Sequence, residues 1–219
     1  MFIAIEGGDG SGKKTQSDLL VKYFESIGRN VKKISFPQYD RFSGIFSTKY
    51  LNAEYGEYVH PDLASLTYAI DRYENKKETL DFLQDPNNIV IADRYVASNL
   101  AHQGGKISDK KERLEFYDRL DKLEFGILGL PHPDKSIVLI VEPKTSQENV
   151  DKKEKRNYTD KKRDLHEADK NHLENTKKCY KELCEIDPVN YIQVNCMDEL
   201  GNMRTIDDIH NNLKAIIGV

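Results

Sequence analysis

A glycine-rich turn near the start of the chain joins a short apolar run to a helical pattern, and it constrains the fold more than any other feature. Residues 7–13 fit the spacing G-x-x-x-x-G-K of a phosphate-binding loop. Glycines let backbone N–H groups turn inward around an anion, and the N-terminus of the next helix adds unpaired donors. A glycine-rich turn without a ligand is disfavoured because the lysine and the strand–loop–helix order are both present. The residues expected to bind the nucleotide phosphates are Gly7, Gly8, Asp9, Gly10, Ser11, Gly12, Lys13, Lys14 and Thr15.

The loop departs from the usual pattern at one position. Lys13 would reach the β- and γ-phosphates of a nucleotide, but the next residue is Lys14 instead of the Ser or Thr whose hydroxyl binds Mg²⁺, and Thr15 follows. A protonated lysine cannot bind a metal. Either other groups hold the Mg²⁺, or metal binding is weakened, or Lys14 points away along the helix. We favour a retained Mg²⁺ that is held differently, because Mg²⁺ keeps several waters and needs few protein ligands.

Short apolar runs alternate with helical patterns along the chain. This alternation predicts an α/β fold with a five-stranded parallel sheet and helices on both faces. Together with the phosphate-binding loop, it indicates a fold of the P-loop NTPase type. No linker or repeat is visible, so we expect one domain over 1–219. Strands are expected at 1–6, 31–36, 88–93, 136–141 and 191–194, and helices at 14–28, 61–84, 109–126, about 164–186 and through Ile206, Ile209, Leu213 and Ile216.

The stretch from Lys144 to Lys178 differs in composition, with an excess of basic over acidic residues in a net acidic chain. Its first part has almost no apolar residues, which predicts an exposed, mobile lid at about 145–163. A charge run is usually a solvated face, so this reading stays open for each of its basic residues.

Composition excludes several classes of protein. The net charge of -4 argues against a nucleic-acid binder, and no apolar run reaches the roughly 18 residues of a membrane span. The N-terminus lacks the basic region of a signal peptide. Three cysteines without paired spacing fit neither a disulfide framework nor a zinc site, so we expect free thiols in the cytoplasm.

Five short segments, spread over nearly the whole chain, carry motifs in a fixed order. They are Phe2 to Gln16, Phe36-Pro37-Gln38-Tyr39, Leu66 to Arg72, Asp93 to Asn99, and Leu128 to Pro131 with Pro133-Asp134. Any one of them is a weak signal, but their order and spacing together are specific. The chain therefore resembles the thymidylate kinase family of P-loop nucleoside monophosphate kinases.

The resemblance implies roles for the charged residues around the loop. Asp9 would accept a hydrogen bond from the 3′-hydroxyl of the acceptor sugar, and Arg94 would bind the acceptor phosphate and bridge toward the donor. Asp93 would be the carboxylate near Mg²⁺. The alternatives are a helix-capping role for Asp9 and a structural ion pair between Asp93 and Arg94.

The resemblance also implies a base-binding site. Tyr68 would stack on thymine, Arg72 would donate to thymine O4, and Asn99 would read the pyrimidine edge. Phe36 and Tyr39 would line the acceptor site. Tyr68 and Arg72 are one helical turn apart and project from one face; the alternative is a core tyrosine and a surface arginine.

Two further features bear on specificity and catalysis. His102 stands where many family members have a tyrosine near the sugar 2′-carbon, so either a functional histidine or an ordinary core or surface histidine fits. The phosphate loop lacks the basic residue that some members place after the aspartate, which directs attention to the lid. Its candidates are Lys153, Lys155, Arg156, Lys162 and Arg163, and Arg156 and Arg163 are preferred because arginine is the better phosphate fork.

The resemblance implies a phosphotransferase that uses ATP and Mg²⁺ to convert dTMP to dTDP, with Lys13, Arg94, Asp9, Arg156 and Arg163 as the catalytic set. The resemblance implies a homodimer. A kinase of the same fold with another monophosphate acceptor, and a nucleotide-binding relative without catalysis, are the alternatives. A GTPase is disfavoured because no N-K-x-D segment is present.

Overall fold

A computed structural model describes residues 1–56, 58–151 and 169–219, without the side chain of Lys170. Five parallel strands form one sheet in the order β2-β3-β1-β4-β5, so the predicted five-stranded parallel sheet is confirmed. The strands are β1 Phe2–Gly7, β2 Asn30–Ser35, β3 Asn88–Asp93, β4 Lys135–Ile140 and β5 Tyr191–Asn195.

Helices connect the strands and lie against both faces of the sheet. They are α1 Lys13–Ser26, α2 Gly44–Leu51, α3 Pro61–Phe82, α4 Val96–Gly104, α5 Lys110–Asp121, a π-helix Lys122–Ile127, α6 Pro143–Asp151, α7 Lys170–Ile186 and α8 Ile206–Ile217. The sequence patterns missed α2, α4 and α6. Helix α6 lies in the stretch expected to be an exposed segment; it forms there because Ser146 and Val150 are buried against the rest of the protein. The remainder of the expected lid, 152–163, lies outside the described residues.

The three central strands β1, β3 and β4 are buried on both faces because their side chains alternate between two cores, whereas the edge strands β2 and β5 are partly exposed. On one face, Phe2 and Val90 belong to the same apolar cluster as residues of α4, α5 and α7. On the other, Ile3 and Ile91 belong to a cluster that includes residues of α1 and α8. The sheet is thus a fixed middle layer from which the connecting loops extend. None of the described helices is long and apolar enough to cross a membrane.

Strand register brings three loops together at one edge of the sheet. Ile5 of β1 is paired with Asp93 of β3, and the backbone N–H of Phe36, just after β2, donates to the carbonyl of Asp93 at 3.1 Å. The phosphate loop, the Phe36 loop and the Asp93–Arg94 segment therefore meet at the carboxyl ends of parallel strands, where ligands bind in open α/β sheets.

Candidate active site

The phosphate loop wraps tightly between β1 and α1. Lys13 folds back so that its Nζ donates to the carbonyl oxygen of Gly8 at 2.6 Å. Gly10 has a φ of 72°, and a Cβ there would lie 2.3 Å from the carbonyl oxygen of Ser146 in α6. Only glycine fits at this position, because a side chain would meet both a strained backbone and the adjacent helix. The loop thus has the backbone shape expected of an anion-binding turn.

The side chains that follow Lys13 point away from the loop. The Nζ of Lys14 lies 3.0 Å from the carboxylate of Asp18, one turn further along α1, and its side chain is 83% exposed. Thr15 is also exposed. Of the three arrangements considered for Lys14, the structure has the one in which it points away along the helix.

Arg94 connects the phosphate loop to the segment that follows β3. Its guanidinium is hydrogen-bonded to the carboxylate of Asp9 and donates to the carbonyl of Gly7 at 3.0 Å and to the hydroxyl of Ser98 at 3.2 Å. Burial works to lower the pKa of Arg94, but the carboxylates around it, Asp9 foremost, raise it above its ordinary value. Arg94 also has a φ of 71°, rare for a residue with a side chain. Its partner in an ion pair is Asp9 and not Asp93.

A buried carboxylate lies beneath this arginine. Glu6 accepts a hydrogen bond from the backbone N–H of Tyr95 at 2.9 Å and one from Ser98 at 2.5 Å. Burial raises the pKa of Glu6. Glu6 therefore anchors the first residues after β3 and the start of α4, which carries the remaining site residues.

His102 on α4 lies in a row of hydrogen-bonding groups. Its Nε2 is 3.3 Å from an Nη of Arg94, and its Nδ1 is 3.3 Å from Nε2 of His172 on α7, which is also 3.3 Å from the hydroxyl of Thr176. Burial and the charge of Arg94 lower the pKa of His102 well below its ordinary range, and burial, followed by the charge of Lys106, lowers that of His172 to about 4. Both rings are therefore neutral at pH 7.

A cavity that is open to solvent lies beside Arg94. It brings together all eight residues expected to bind the acceptor, and it adds Gln103 and Ser98. The expected residues lining it are Asp9, Phe36, Tyr39, Tyr68, Arg72, Arg94, Asn99 and His102.

The cavity wall includes an arginine, Arg72, that is buried and not at the surface. Arg72 donates from Nε and Nη2 to the two carboxylate oxygens of Glu124, both at 2.5 Å. Asn99 donates from Nδ2 to the same carboxylate and to the carbonyl of Ser65, both at 3.0 Å. Burial works to lower the pKa of Arg72, and Glu124 raises it.

The adjacent Asp71 has a structural role. Its carboxylate accepts hydrogen bonds from the backbone N–H of Gln38 at 2.8 Å and from the hydroxyl of Ser43 at 2.7 Å. It thereby fixes the loop that carries Phe36 and Tyr39 against α3, which forms one wall of the cavity.

The family model for thymidylate kinase matches residues 5–205. This chain belongs to the thymidylate kinase family. A thymidylate kinase of Mycobacterium tuberculosis is 34% identical over 143 residues, 64% of this chain and 66% of that protein, so the match spans about two thirds of that relative. A probable thymidylate kinase of Thermococcus onnurineus is 28% identical over 99% of this chain and 97% of its own length, and that of Plasmodium falciparum is 29% identical over 97% and 87%.

Solved thymidylate kinases share the fold. The enzyme of Candida albicans superposes with a TM-score of 0.74 at 24% identity, over 99% of this chain and 90% of that one. The enzyme of Ehrlichia chaffeensis gives a TM-score of 0.67 at 21% identity, over 99% and 98%. The family and the fold expected from the sequence are thus confirmed.

Sequence reasoning missed two buried residues: Gln103, which lines the cavity, and Glu124, which contacts the lining residues Arg72 and Asn99. Gln103 follows His102 in α4 and is fully buried, and neither atom of its amide has a hydrogen-bond partner among the described residues. Glu124 lies 52 residues from Arg72, near the end of a segment with the pattern of a surface helix. No local pattern distinguishes such a carboxylate from its exposed neighbours. The lid candidates Lys153, Lys155, Arg156, Lys162 and Arg163 lie outside the described residues.

Proposed function

We propose that the protein phosphorylates dTMP to dTDP with ATP as the phosphoryl donor, as one domain over 1–219. The observation that carries this proposal is the junction between two binding regions: the phosphate loop ends in Lys13, and the acceptor cavity begins at Asp9 and Arg94, which are hydrogen-bonded to each other. Placing donor and acceptor phosphates on the two sides of this pair is what an in-line transfer requires.

The reaction needs no covalent enzyme intermediate. A 5′-phosphate oxygen of dTMP attacks the γ-phosphorus of ATP, the bond to the β–γ bridging oxygen breaks, and ADP leaves with that electron pair. Lys13 and Arg94 would stabilise the charge on the transferring group. Arg94 would turn from Asp9 toward phosphate, which frees the Asp9 carboxylate for the 3′-hydroxyl of the sugar. Arg156 and Arg163 are proposed to add positive charge on the donor side.

Mg²⁺ is the proposed cofactor, and it neutralises charge on the donor phosphates when bound. Asp93 fits as its protein ligand because this partly buried carboxylate ends β3 beside the phosphate loop. Among residues 1–56, 58–151 and 169–219, no group of three or more His, Cys, Asp or Glu side chains could hold a metal. Such a sparse ligand set suits Mg²⁺, which binds largely through water and phosphate oxygens.

A homodimer is supported by an apolar stripe on α3. Leu63, Leu66, Ile70 and Tyr73 recur at intervals of three and four residues, and each is at least 41% exposed. A stripe at this spacing lies on one face of a helix, and a second copy of the chain is the proposed partner. We also propose a cytoplasmic location, because the three cysteines are buried free thiols, as expected in a reducing compartment.

The test is ADP release from ATP and Mg²⁺ with dTMP, dUMP, dCMP and dGMP supplied in turn, beside a Lys13→Ala control. Turnover with dTMP well above the others, lost in the control, is the expected result. Turnover with a different acceptor would contradict the choice of substrate, and ATP binding without turnover would contradict catalysis.

A further inference from the structure

The π-helix Lys122–Ile127 carries a carboxylate that lies behind two residues of the cavity wall. Glu124 is fully buried, and its two oxygens accept hydrogen bonds from Arg72 and Asn99, the residues expected to read the base. Burying an ion pair costs several kcal/mol in desolvation, so such a pair is weak evidence for stability by itself. Its position between two cavity residues indicates a different role.

The turn that presents Glu124 is itself fixed. The backbone N–H of Leu128 donates to the carbonyl of Leu123 at 2.8 Å, the five-residue spacing of a π-turn. Lys76 of α3 donates to the carbonyl of Leu128 at 2.7 Å, so α3 holds both the end of this turn and Arg72. The carboxylate and the arginine therefore share one support.

The ion pair determines which donors of Arg72 face the cavity. Its Nε and one Nη are used by Glu124, and Nη1 makes none of the hydrogen bonds found among the described residues. Since Arg72 lines the cavity, both N–H groups of Nη1 and the second N–H of Nη2 are left to donate to a ligand. The planar guanidinium cannot rotate about its axis without breaking the bidentate pair.

The same carboxylate fixes the orientation of the Asn99 amide. Its nitrogen lies between two acceptors, the carbonyl of Ser65 and Glu124, so the oxygen must take the other side. That oxygen is buried and has no partner among the described residues. The network thus presents Asn99 Oδ1 as an acceptor.

We propose that Glu124 is a positioning residue that makes the cavity select a base with a carbonyl at C4 and a proton on N3. This inference rests on the proposed function. Thymine has an O4 acceptor for Arg72 and an N3–H donor for Asn99, whereas cytosine has an N4 donor and an N3 acceptor at these places. Without the charge of Glu124, Arg72 and Asn99 lose their fixed orientation and the two bases become harder to distinguish.

The experiment compares the Kd of dTMP and dCMP by isothermal titration calorimetry, and their kcat and KM, in wild type, Glu124→Gln and Glu124→Asp. The side-chain amide of the Gln variant has one acceptor oxygen, whereas the carboxylate of Glu124 has two. Glu182→Gln is the matched control: Glu182 forms a similar bidentate pair with Arg113, at 2.8 and 3.1 Å, away from the cavity. Circular dichroism and thermal unfolding show whether each variant is folded.

In Glu124→Gln, we expect the Kd and KM of dTMP to rise about 10- to 100-fold, the loss that follows when a hydrogen bond to a charged group is disturbed. The preference for dTMP over dCMP should fall at least about tenfold, with kcat and the KM of ATP nearly unchanged. Glu124→Asp, which keeps the charge, should lie between wild type and Gln. The Glu182→Gln control should keep the wild-type preference.

A preference in Glu124→Gln equal to that of Glu182→Gln would overturn the proposal. If Glu124→Gln does not fold, Glu124→Asp decides: an unchanged ratio of the two Kd values would equally overturn it. A wild-type protein that binds dTMP without turnover would contradict the proposed reaction, while the binding ratios would still decide the role of Glu124.

Discussion

The guanidinium of Arg94 is hydrogen-bonded to the carboxylate of Asp9, 85 residues earlier in the chain. This pair stands between the phosphate loop and the cavity, so each member is the other's partner until a nucleotide competes. Arginine serves here because it donates to several groups at once: Arg94 also reaches Gly7 and Ser98. A lysine has the charge but only one donor atom.

Replacing Arg94 by lysine should therefore lower kcat at least about 100-fold, since a point charge cannot follow both phosphates in transfer. Steady-state ADP release at saturating ATP and dTMP measures it. An Arg113→Lys variant, at a pair outside the cavity, should keep kcat near wild type. A kcat above one tenth of wild type in Arg94→Lys would contradict a catalytic role for the guanidinium.

The exposed pair between Lys14 and Asp18 makes a second prediction. Replacing Lys14 by alanine should change the free energy of unfolding by less than about 1 kcal/mol, because exposed pairs contribute little. It should leave kcat within a few-fold, because the side chain points away from the loop. Urea unfolding and turnover measure both, with Lys13→Ala as the inactive comparison. Loss of turnover in Lys14→Ala would show that Lys14 acts on the phosphates after all.

Sequence patterns predict the framework of this protein better than the details of its site. Residues 88–93 form a strand with the bounds that the continuous apolar run predicts, because burial on both faces leaves little ambiguity. The short helix α4 escapes prediction because four of its residues line the cavity and do not form an amphipathic pattern. All residues of α4 are buried. The helix therefore has no exposed polar face, and its sequence does not show the helical alternation of apolar and polar residues.

The residues of the acceptor cavity could likewise be predicted only in part. The resemblance to a family points to Tyr68, Arg72 and Asn99, and the structure brings all three to one cavity. The resemblance does not point to Glu124. The contact between Glu124 and Arg72 joins residues 52 positions apart and depends on an irregular π-turn. Long-range pairing of buried polar groups has no local signature in a single sequence.

The amide of Gln103 has no hydrogen-bond partner among the described residues, so we expect its removal to have opposite effects on stability and on dTMP binding. A buried polar group without a hydrogen bond costs about 1–3 kcal/mol, so Gln103→Leu should raise the free energy of unfolding while it raises the KM of dTMP about tenfold. Urea unfolding and steady-state kinetics test the two arms. Gln16→Leu is a suitable comparison for stability, since the Gln16 amide donates to the carbonyl of Ile206 at 2.9 Å and its loss should destabilise. A Gln103→Leu variant that is destabilised and has a normal KM for dTMP would contradict the idea that a ligand hydrogen-bonds to this amide.

The neutral histidines give a pH dependence with a defined sign. Burial and the charge of Lys106 lower the pKa of His172 from about 6.5 in the unfolded chain to about 4, so between these values the unfolded state binds more protons and stability falls as the pH drops. The contribution of His172 to the free energy of unfolding that is lost between these two pH values is on the order of 3 kcal/mol. The His172→Gln variant lacks this titrating ring. Wild type should therefore lose more stability than the variant between pH 7 and pH 4.5, as measured by urea unfolding. Parallel curves for the two proteins would show that His172 does not titrate in this way.

The apolar stripe on α3 predicts a dimer that a single charge disrupts. Ile70 lies in the middle of the stripe and is 46% exposed, so in a dimer centred there Ile70→Glu would bury an unpaired charge, at a cost of several kcal/mol. Light scattering coupled to size exclusion should give about twice 25.2 kDa for wild type and 25.2 kDa for the variant. Lys77→Ala is the control on the same helix, because that side chain is 87% exposed and pairs only with Asp81 among the described residues.

A wild-type mass of one chain would contradict the dimer. A dimeric Ile70→Glu would place the interface elsewhere, because a buried glutamate at the centre of an apolar contact is incompatible with tight association.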